Sequence, residues 1–174
     1  MKKVLAVIQL VLLVIFMLFL HLGAAYFLPY PWNALNTIFM ILVILMMIKE
    51  TGQTVWLAFI THFFIELYAT TPFGIILCSS TLSFLFTYWL SQSIFINKSW
   101  YTAFAFSAVS LIFYRIIYIL LLIITGVFLE TAPISWSLMF RYFGWELILT
   151  SIVAGAASLL IAPREKKRGT FFLR

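Results

Sequence analysis

Residues 59–74 read FITHFFIELYATTPFG, and this stretch predicts a membrane helix that ends in a tight turn. Residues 58–69 are apolar apart from Thr61, His62 and Glu66. Because proline lacks a backbone N–H and restricts the residue before it, we expect the helix to stop near Thr71, just before Pro72. The glycine two residues later lets the chain reverse into a second apolar helix. A carboxylate six residues before such a turn is costly inside a bilayer, so we expect it to have a specific role.

The composition of the whole chain is that of an integral membrane protein. Of its 174 residues, 65% are hydrophobic and only 9% are charged. The mean hydropathy is +1.15. A soluble domain of this size would have too few polar side chains to cover its surface. We therefore predict an all-α integral membrane protein.

Apolar runs divide the chain into six predicted transmembrane helices, several of which approach the ~20 residues needed to cross a bilayer. We take the first as an uncleaved helix, because its apolar core is longer than the ~7–15 residues of a typical signal peptide. The second is short for a full span. The sequence thus predicts a six-helix transmembrane domain over residues 1–163 and a basic cytoplasmic tail over 164–174. The helices are expected at about residues 4–27, 34–48, 54–70, 73–95, 100–126 and 137–162.

Basic residues predict the orientation of the chain. With six crossings, Lys2, Lys3, Lys49, Lys98 and the basic tail fall on one side, whereas the three proline-containing loops on the other side have no Lys or Arg. The positive-inside rule then places both termini in the cytoplasm. The net charge of +6 arises in short loops and termini rather than on a folded basic face. It therefore indicates contact with membrane lipids and not with nucleic acid.

Four ionisable side chains inside predicted helices form the candidate site: His62, Glu66, Arg115 and Glu146. At ~1.5 Å of rise per residue, the last three lie roughly 18, 21 and 24 Å from the predicted inner helix ends. These depths predict a shared polar cluster in the outer half of the bundle, with Glu66 beside Arg115 and Glu146 as the competing partner. His62 lies one turn before Glu66 on the same face and is expected to pair with it. The cluster is either an ion pair that fixes packing or the floor of a ligand or docking site.

Recognisable enzyme motifs are absent from the sequence. It contains no phosphate-binding loop, dinucleotide fingerprint, zinc-protease motif or nucleophile elbow. The single cysteine, Cys78, lies in an apolar run and is expected to be a packing residue. His21 is expected at the outer membrane interface. A third ligand beside His62 and Glu66 is not evident, so the sequence predicts neither a metal site, nor a cofactor, nor catalysis.

An acidic residue six positions before a Pro-hydrophobic-Gly turn, with a tyrosine near the end of the next helix, resembles the bacterial rod shape-determining MreD family. The corresponding residues here are Glu66, Pro72-Phe73-Gly74 and Tyr88. Glu66 stands where that family usually has aspartate, and Phe73 where it usually has leucine. The Pro-Trp pair before the second helix and the short basic tail are also similar to the family.

The resemblance implies a non-enzymatic scaffold of the cell-elongation machinery, or elongasome, in the bacterial inner membrane. It implies binding to an MreC-like single-pass membrane protein and links to the other elongation-complex proteins that control cell shape and peptidoglycan synthesis. An alternative of another class also fits six helices in a chain of this length. This is the substrate-binding component of an energy-coupling-factor vitamin transporter, in which the polar cluster would hold a small ligand.

Overall fold

The computed structural model describes residues 2–49, 52–93, 99–129 and 135–161, and within these ranges it is helical with no strand. A short 3-10 turn, Trp32–Ala34, precedes the second α-helix. The all-helical prediction is confirmed. The predicted basic tail and Lys98 lie outside the described residues. The α-helices are α1 (Lys2–Phe27), α2 (Thr37–Lys49), α3 (Gln53–Glu66), α4 (Ile75–Ser93), α5 (Trp100–Leu129) and α6 (Trp136–Ile161).

Four of these helices, α1, α4, α5 and α6, are long and apolar enough to cross a membrane. The other two are shorter, with 13 residues in α2 and 14 in α3. At ~1.5 Å per residue each is about 20 Å long, less than the ~30 Å of a typical hydrocarbon core. The fold is therefore a helical bundle with four candidate spans. Passage of α2 and α3 across the bilayer, and the orientation of the bundle, stay predictions.

Helix α2 lies at the centre of the bundle, where it packs against α1, α3, α5 and α6. Ile38, Phe39, Leu42 and Val43 are completely buried. These four residues share one side of the helix, whereas Ile41 and Leu45 on another side are partly buried and Ile48 is 49% exposed, so α2 is largely rather than completely enclosed by its neighbours. Its nearly uniform apolar sequence follows from this central position.

The first half of α1 has the opposite environment. Residues 4–12 are all exposed, whereas Val14 and Met17, further along the helix, are buried in the hydrophobic core. No other part of the described chain therefore covers the beginning of α1. In a membrane, this half-helix faces lipid or another protein.

The predicted end of the third helix is wrong by about one turn. Helix α3 ends at Glu66 rather than near Thr71, and Leu67 and Tyr68 form a turn stabilised by backbone hydrogen bonds to Phe63 and Ile65. The Glu66 carboxylate accepts a hydrogen bond from the backbone at the start of α4, which places the end of α3 beside the start of α4.

The fourth helix also begins later than predicted. Gly74 has φ +100°, a left-handed conformation that a helix cannot continue through, so α4 starts at Ile75 rather than at Phe73. The predicted reversal at Pro72 and Gly74 is nevertheless present, because both residues lie in the segment that joins α3 to α4.

Candidate functional site

A polar cavity of about 200 Å³ lies where the segment before α2 meets α1, α3, α4, α5 and α6. Three of the four predicted site residues, His62, Arg115 and Glu146, line it. Glu66 does not, although its neighbour Ile65 does. The predicted cluster is therefore present for these three residues and not for Glu66. The polar lining residues are His21, Asn36, His62, Tyr114, Arg115, Tyr142 and Glu146, and the apolar ones are Ala34, Leu35, Ile65 and Ile76.

The centre of the cavity wall is an ion pair between α5 and α6. Arg115 Nη2 donates to Glu146 Oε2, and the two side chains are only 12% and 6% exposed. Asn36 Nδ2 donates to the other carboxylate oxygen, Oε1, over 2.9 Å. Both oxygens of Glu146 are therefore hydrogen-bonded, which a charge buried in an apolar bundle requires.

The remaining surroundings of Arg115 are aromatic. Its guanidinium carbon lies 5.5 Å from the ring centroid of Tyr114, 5.4 Å from that of Tyr118 and 5.3 Å from that of Phe143. A cation at this distance from aromatic faces is attracted by the ring quadrupoles. The Nε atom is buried without a hydrogen-bond partner. Arg115 is thus stabilised by one carboxylate and three rings.

Glu66 is not the partner of Arg115 that the sequence predicts. Its Oε2 atom accepts a hydrogen bond from the Leu77 backbone N–H over 2.5 Å, and its Oε1 atom is buried without a partner. Because Glu66 is the last residue of α3, its side chain extends toward α4, whose first N–H groups have no partner inside that helix. The carboxylate therefore caps α4, where the partial positive charge of the helix N-terminus favours an anion.

His62 does not form the predicted pair with Glu66 either. Its Nδ1 atom donates to the Ala58 carbonyl oxygen one turn earlier in α3, over 2.8 Å. The ring packs at right angles against Phe39, with 5.5 Å between the ring centroids. Among the described residues, no group of three His, Cys, Asp or Glu side chains could hold a metal ion.

Asn36 is the residue of the site that sequence reasoning missed. Its Oδ1 atom accepts from the Phe39 N–H over 3.2 Å, and its own N–H donates to Thr150 Oγ1 over 2.9 Å. With the bond to Glu146, Asn36 therefore caps α2 and joins it to α6. An asparagine just before an apolar run is a helix-start signal that could have identified this residue.

His21 lines the cavity, and its expected position at the membrane interface stays a prediction. Its Nδ1 atom lies 3.5 Å from Thr37 Oγ1, at the first turn of α2. Because α2 is short, its N-terminal end lies deep enough in the bundle to meet the middle of its neighbours. This depth brings a residue near the end of α1 to the cavity.

An open groove of about 560 Å³ adjoins the cavity and shares Arg115 and Tyr142 with it. On its edge, Arg141 Nε donates to the Tyr30 hydroxyl over 3.0 Å. Tyr142 donates its hydroxyl to the Asn33 carbonyl oxygen, also over 3.0 Å. These two bonds attach the segment before α2 to α6.

Comparisons with known proteins add no assignment: no family model, curated protein or solved structure matches this chain. The resemblance to the MreD family therefore stays a prediction that depends on residues of the chain itself.

Proposed function

We propose that this protein is a non-enzymatic scaffold subunit of the bacterial cell-elongation machinery in the inner membrane. The observation that carries the proposal is the hairpin formed by α3 and α4. Three residues of the resemblance act together in it: Glu66 caps α4, and Pro72 and Gly74 make the turn. Tyr88 lies at the other end of the hairpin, near the start of α3. A Cβ atom at Gly52 would be 3.8 Å from the Tyr88 ring, an ordinary contact distance.

The elements of this motif depend on one another physically. The turn at Gly74 starts α4 abruptly, so the first N–H groups of α4 need an acceptor from outside the helix. Glu66 supplies that acceptor to Leu77 from the end of the preceding helix. The spacing between the acidic residue and the Pro-Phe-Gly turn therefore has a structural reason, which supports a shared motif over a chance match of single residues.

The bonding of the buried carboxylate favours the scaffold over the transporter alternative, because the acidic group of the cavity is already bonded within the protein. Both carboxylate oxygens of Glu146 are already used by Arg115 and Asn36. The polar lining is the observation that favours a substrate-binding component of a vitamin transporter, which we keep as the second candidate.

The proposed partner surface is the exposed first half of α1, residues 4–12. It belongs to a helix with hydropathy 2.8, the most apolar of the four candidate spans. Gln9, within this half, is exposed, and its side chain has no hydrogen-bond partner among the described residues. In hydrocarbon, an amide gains stability by hydrogen bonding to another transmembrane helix. We therefore assign this surface to the single membrane helix of an MreC-like protein.

Depletion of the protein in its native host tests the proposed function. We expect rod-shaped cells to become round, measured as a fall in the length-to-width ratio, and a plasmid copy of the wild-type chain to restore the rods. Cells that keep their shape after the protein has disappeared from the membrane would contradict the proposal. Loss of vitamin uptake in those same cells would support the transporter alternative instead.

Site-specific photo-crosslinking tests the partner surface separately. A photoreactive residue at Val7 or Val11 should form an adduct with a single-pass protein, identified by mass spectrometry, and Gln9→Leu should reduce its yield. The same probe at Ile116 or Leu120 is the matched control, since these α5 side chains are 55% and 53% exposed. An adduct from α5 but not from α1 would show that the partner binds α5 and would contradict the proposed α1 surface. It would leave the proposed scaffold role unchanged.

A further inference from the structure

The open groove beside Arg115 has the features of a binding site of its own. Its walls come from α5, α6 and the segment before α2, and none of its lining residues is a carboxylate. Leu138 on its wall is 66% exposed, so the groove opens to the surroundings of the bundle. The lining residues are Tyr30, Arg115, Leu138, Met139, Arg141 and Tyr142.

Arg141 is the uncompensated charge of this groove. Its Nε atom donates to the Tyr30 hydroxyl, and its guanidinium carbon lies 5.2 Å from the centroid of the Tyr30 ring. No carboxylate forms an ion pair with it among the described residues; the described ion pair of the groove belongs to Arg115 and Glu146. Tyr30 therefore holds the Arg141 guanidinium in place while its two terminal nitrogens make no described hydrogen bond.

The position of Arg141 along α6 suits a membrane anion. It lies five residues after Trp136, the first residue of α6, which corresponds to ~7.5 Å along the helix. Tryptophans favour the membrane–water interface, and long basic side chains extend from just inside it toward the headgroups. An arginine at this depth without a carboxylate partner requires water or an anion for its charge.

We propose that this groove binds the phosphate headgroup of an anionic glycerophospholipid. The planar guanidinium of Arg141 offers paired donors that match two phosphate oxygens. Leu138 and Met139 on the groove wall supply the apolar surface for the beginning of an acyl chain. Because the exposed Leu138 of the groove belongs to a helix that is apolar and long enough to span a membrane, a lipid is the occupant with both the required charge and access. This site does not depend on the proposed scaffold function.

Lipid binding to the full-length protein in detergent, followed by native mass spectrometry, tests the site. The probe is dioctanoyl phosphatidylglycerol. We expect Arg141→Gln to weaken its binding about ten-fold, since a charge-assisted pair of hydrogen bonds is lost. Arg141→Lys should give a smaller loss, because lysine keeps the charge but not the planar pair of donors. Lys49→Gln is the matched control: it removes one positive charge at the far end of α2 and should leave binding unchanged.

Two further probes identify the ligand class. Dioctanoylglycerol, which lacks the phosphate, should bind at least ten-fold more weakly than phosphatidylglycerol. Inorganic phosphate alone should not compete with the lipid at equal concentration. Equal binding by wild-type protein and Arg141→Gln would overturn the site, and tight binding of inorganic phosphate would overturn the lipid as its occupant.

A third variant covers the case in which Arg141→Gln fails to fold. Tyr30→Phe keeps the aromatic ring but removes the hydroxyl that accepts from Arg141 Nε, so it should weaken lipid binding while leaving the fold intact. Unchanged lipid affinity in a folded Tyr30→Phe protein would contradict the positioning role of Tyr30 and with it the prearranged site.

Discussion

Glu66 and Glu146 are almost equally buried, at 3% and 4% exposure, but their carboxylates are stabilised in different ways. Glu146 has a full counter-charge from Arg115 and an amide donor from Asn36. Glu66 has a single backbone N–H, and its second oxygen has no partner. The first arrangement depends on charge, whereas the second depends on an acceptor atom at the N-terminus of α4.

The two carboxylates also connect different parts of the chain. Glu146 links α6 to α5 and to the start of α2, segments about 30 and 110 residues away. Glu66 links α3 to α4, only 11 residues away. One buried acid therefore stabilises the assembly of the whole bundle, while the other fixes a local turn.

Arg115→Met should have the largest effect on stability. It leaves the Glu146 charge buried without its cation, and breaking a buried ion pair usually costs about 3–5 kcal/mol. The free energy of unfolding in detergent, measured by titration with a denaturing surfactant, gives the effect. The double variant Arg115→Met with Glu146→Gln removes both charges and should be more stable than Arg115→Met alone. A double variant as unstable as the single one would argue against the ion pair.

Asn36→Ala should be the next most harmful substitution. It removes the cap of α2 and a hydrogen bond to the charged Glu146, together about 3 kcal/mol. Asn36→Ser is the matched control, because serine can still cap a helix but is too short to replace the amide at Glu146. The same unfolding measurement should place the serine variant between wild type and Asn36→Ala. Equal stability of all three would show that Asn36 does not link α2 to α6.

Glu66→Leu should destabilise the protein by about 2 kcal/mol, because it leaves the Leu77 N–H buried without an acceptor. Glu66→Gln should cost less, since the amide oxygen can still accept that hydrogen bond. Glu146→Gln, by contrast, leaves Arg115 without its counter-charge and should cost more than Glu66→Gln. If the two glutamine variants were equally unstable, the distinction between a charge-dependent and an acceptor-dependent carboxylate would be wrong.

Gly74→Ala should have the smallest effect, about 1 kcal/mol, because a side chain is strained at φ +100°. No atom lies within 4 Å of the position that a Cβ would occupy, so the effect is conformational rather than steric. Gly74→Asn is the control, since asparagine tolerates left-handed conformations better than alanine. Thermal denaturation of the purified variants should rank wild type first, then asparagine, then alanine.

Sequence reasoning predicted the helical class, because apolar runs can be read from the sequence. It also predicted a common depth for Glu66, Arg115 and Glu146, and of these three only Arg115 and Glu146 pair with each other. It did not predict which carboxylate pairs with Arg115. That choice depends on the rotation of each helix about its axis and on where α3 ends. Because α3 ends about one turn earlier than predicted, the Glu66 side chain extends toward α4 and not toward Arg115.

The roles of Asn36 and α2 were harder to derive, for different reasons. Asn36 carried a local capping signal, but its bond to Glu146 joins residues 110 apart. Helix α2 has apolar residues on every side, so its sequence contains no stripe that would indicate a buried face. A helix of this kind is equally compatible with lipid contact, and only its observed neighbours place it at the centre.

The central position of α2 has a consequence for biosynthesis. Helix α2 ends at Lys49, whereas its neighbour α6 ends at Ile161 and leaves the ribosome much later. At a synthesis rate of ~5–20 residues per second, α6 is completed on the order of ten seconds after α2. During that interval, lipid or another protein must surround it. The side chains on its middle turns are all apolar, so α2 can remain in lipid before α6 is made without leaving a polar side chain unpaired.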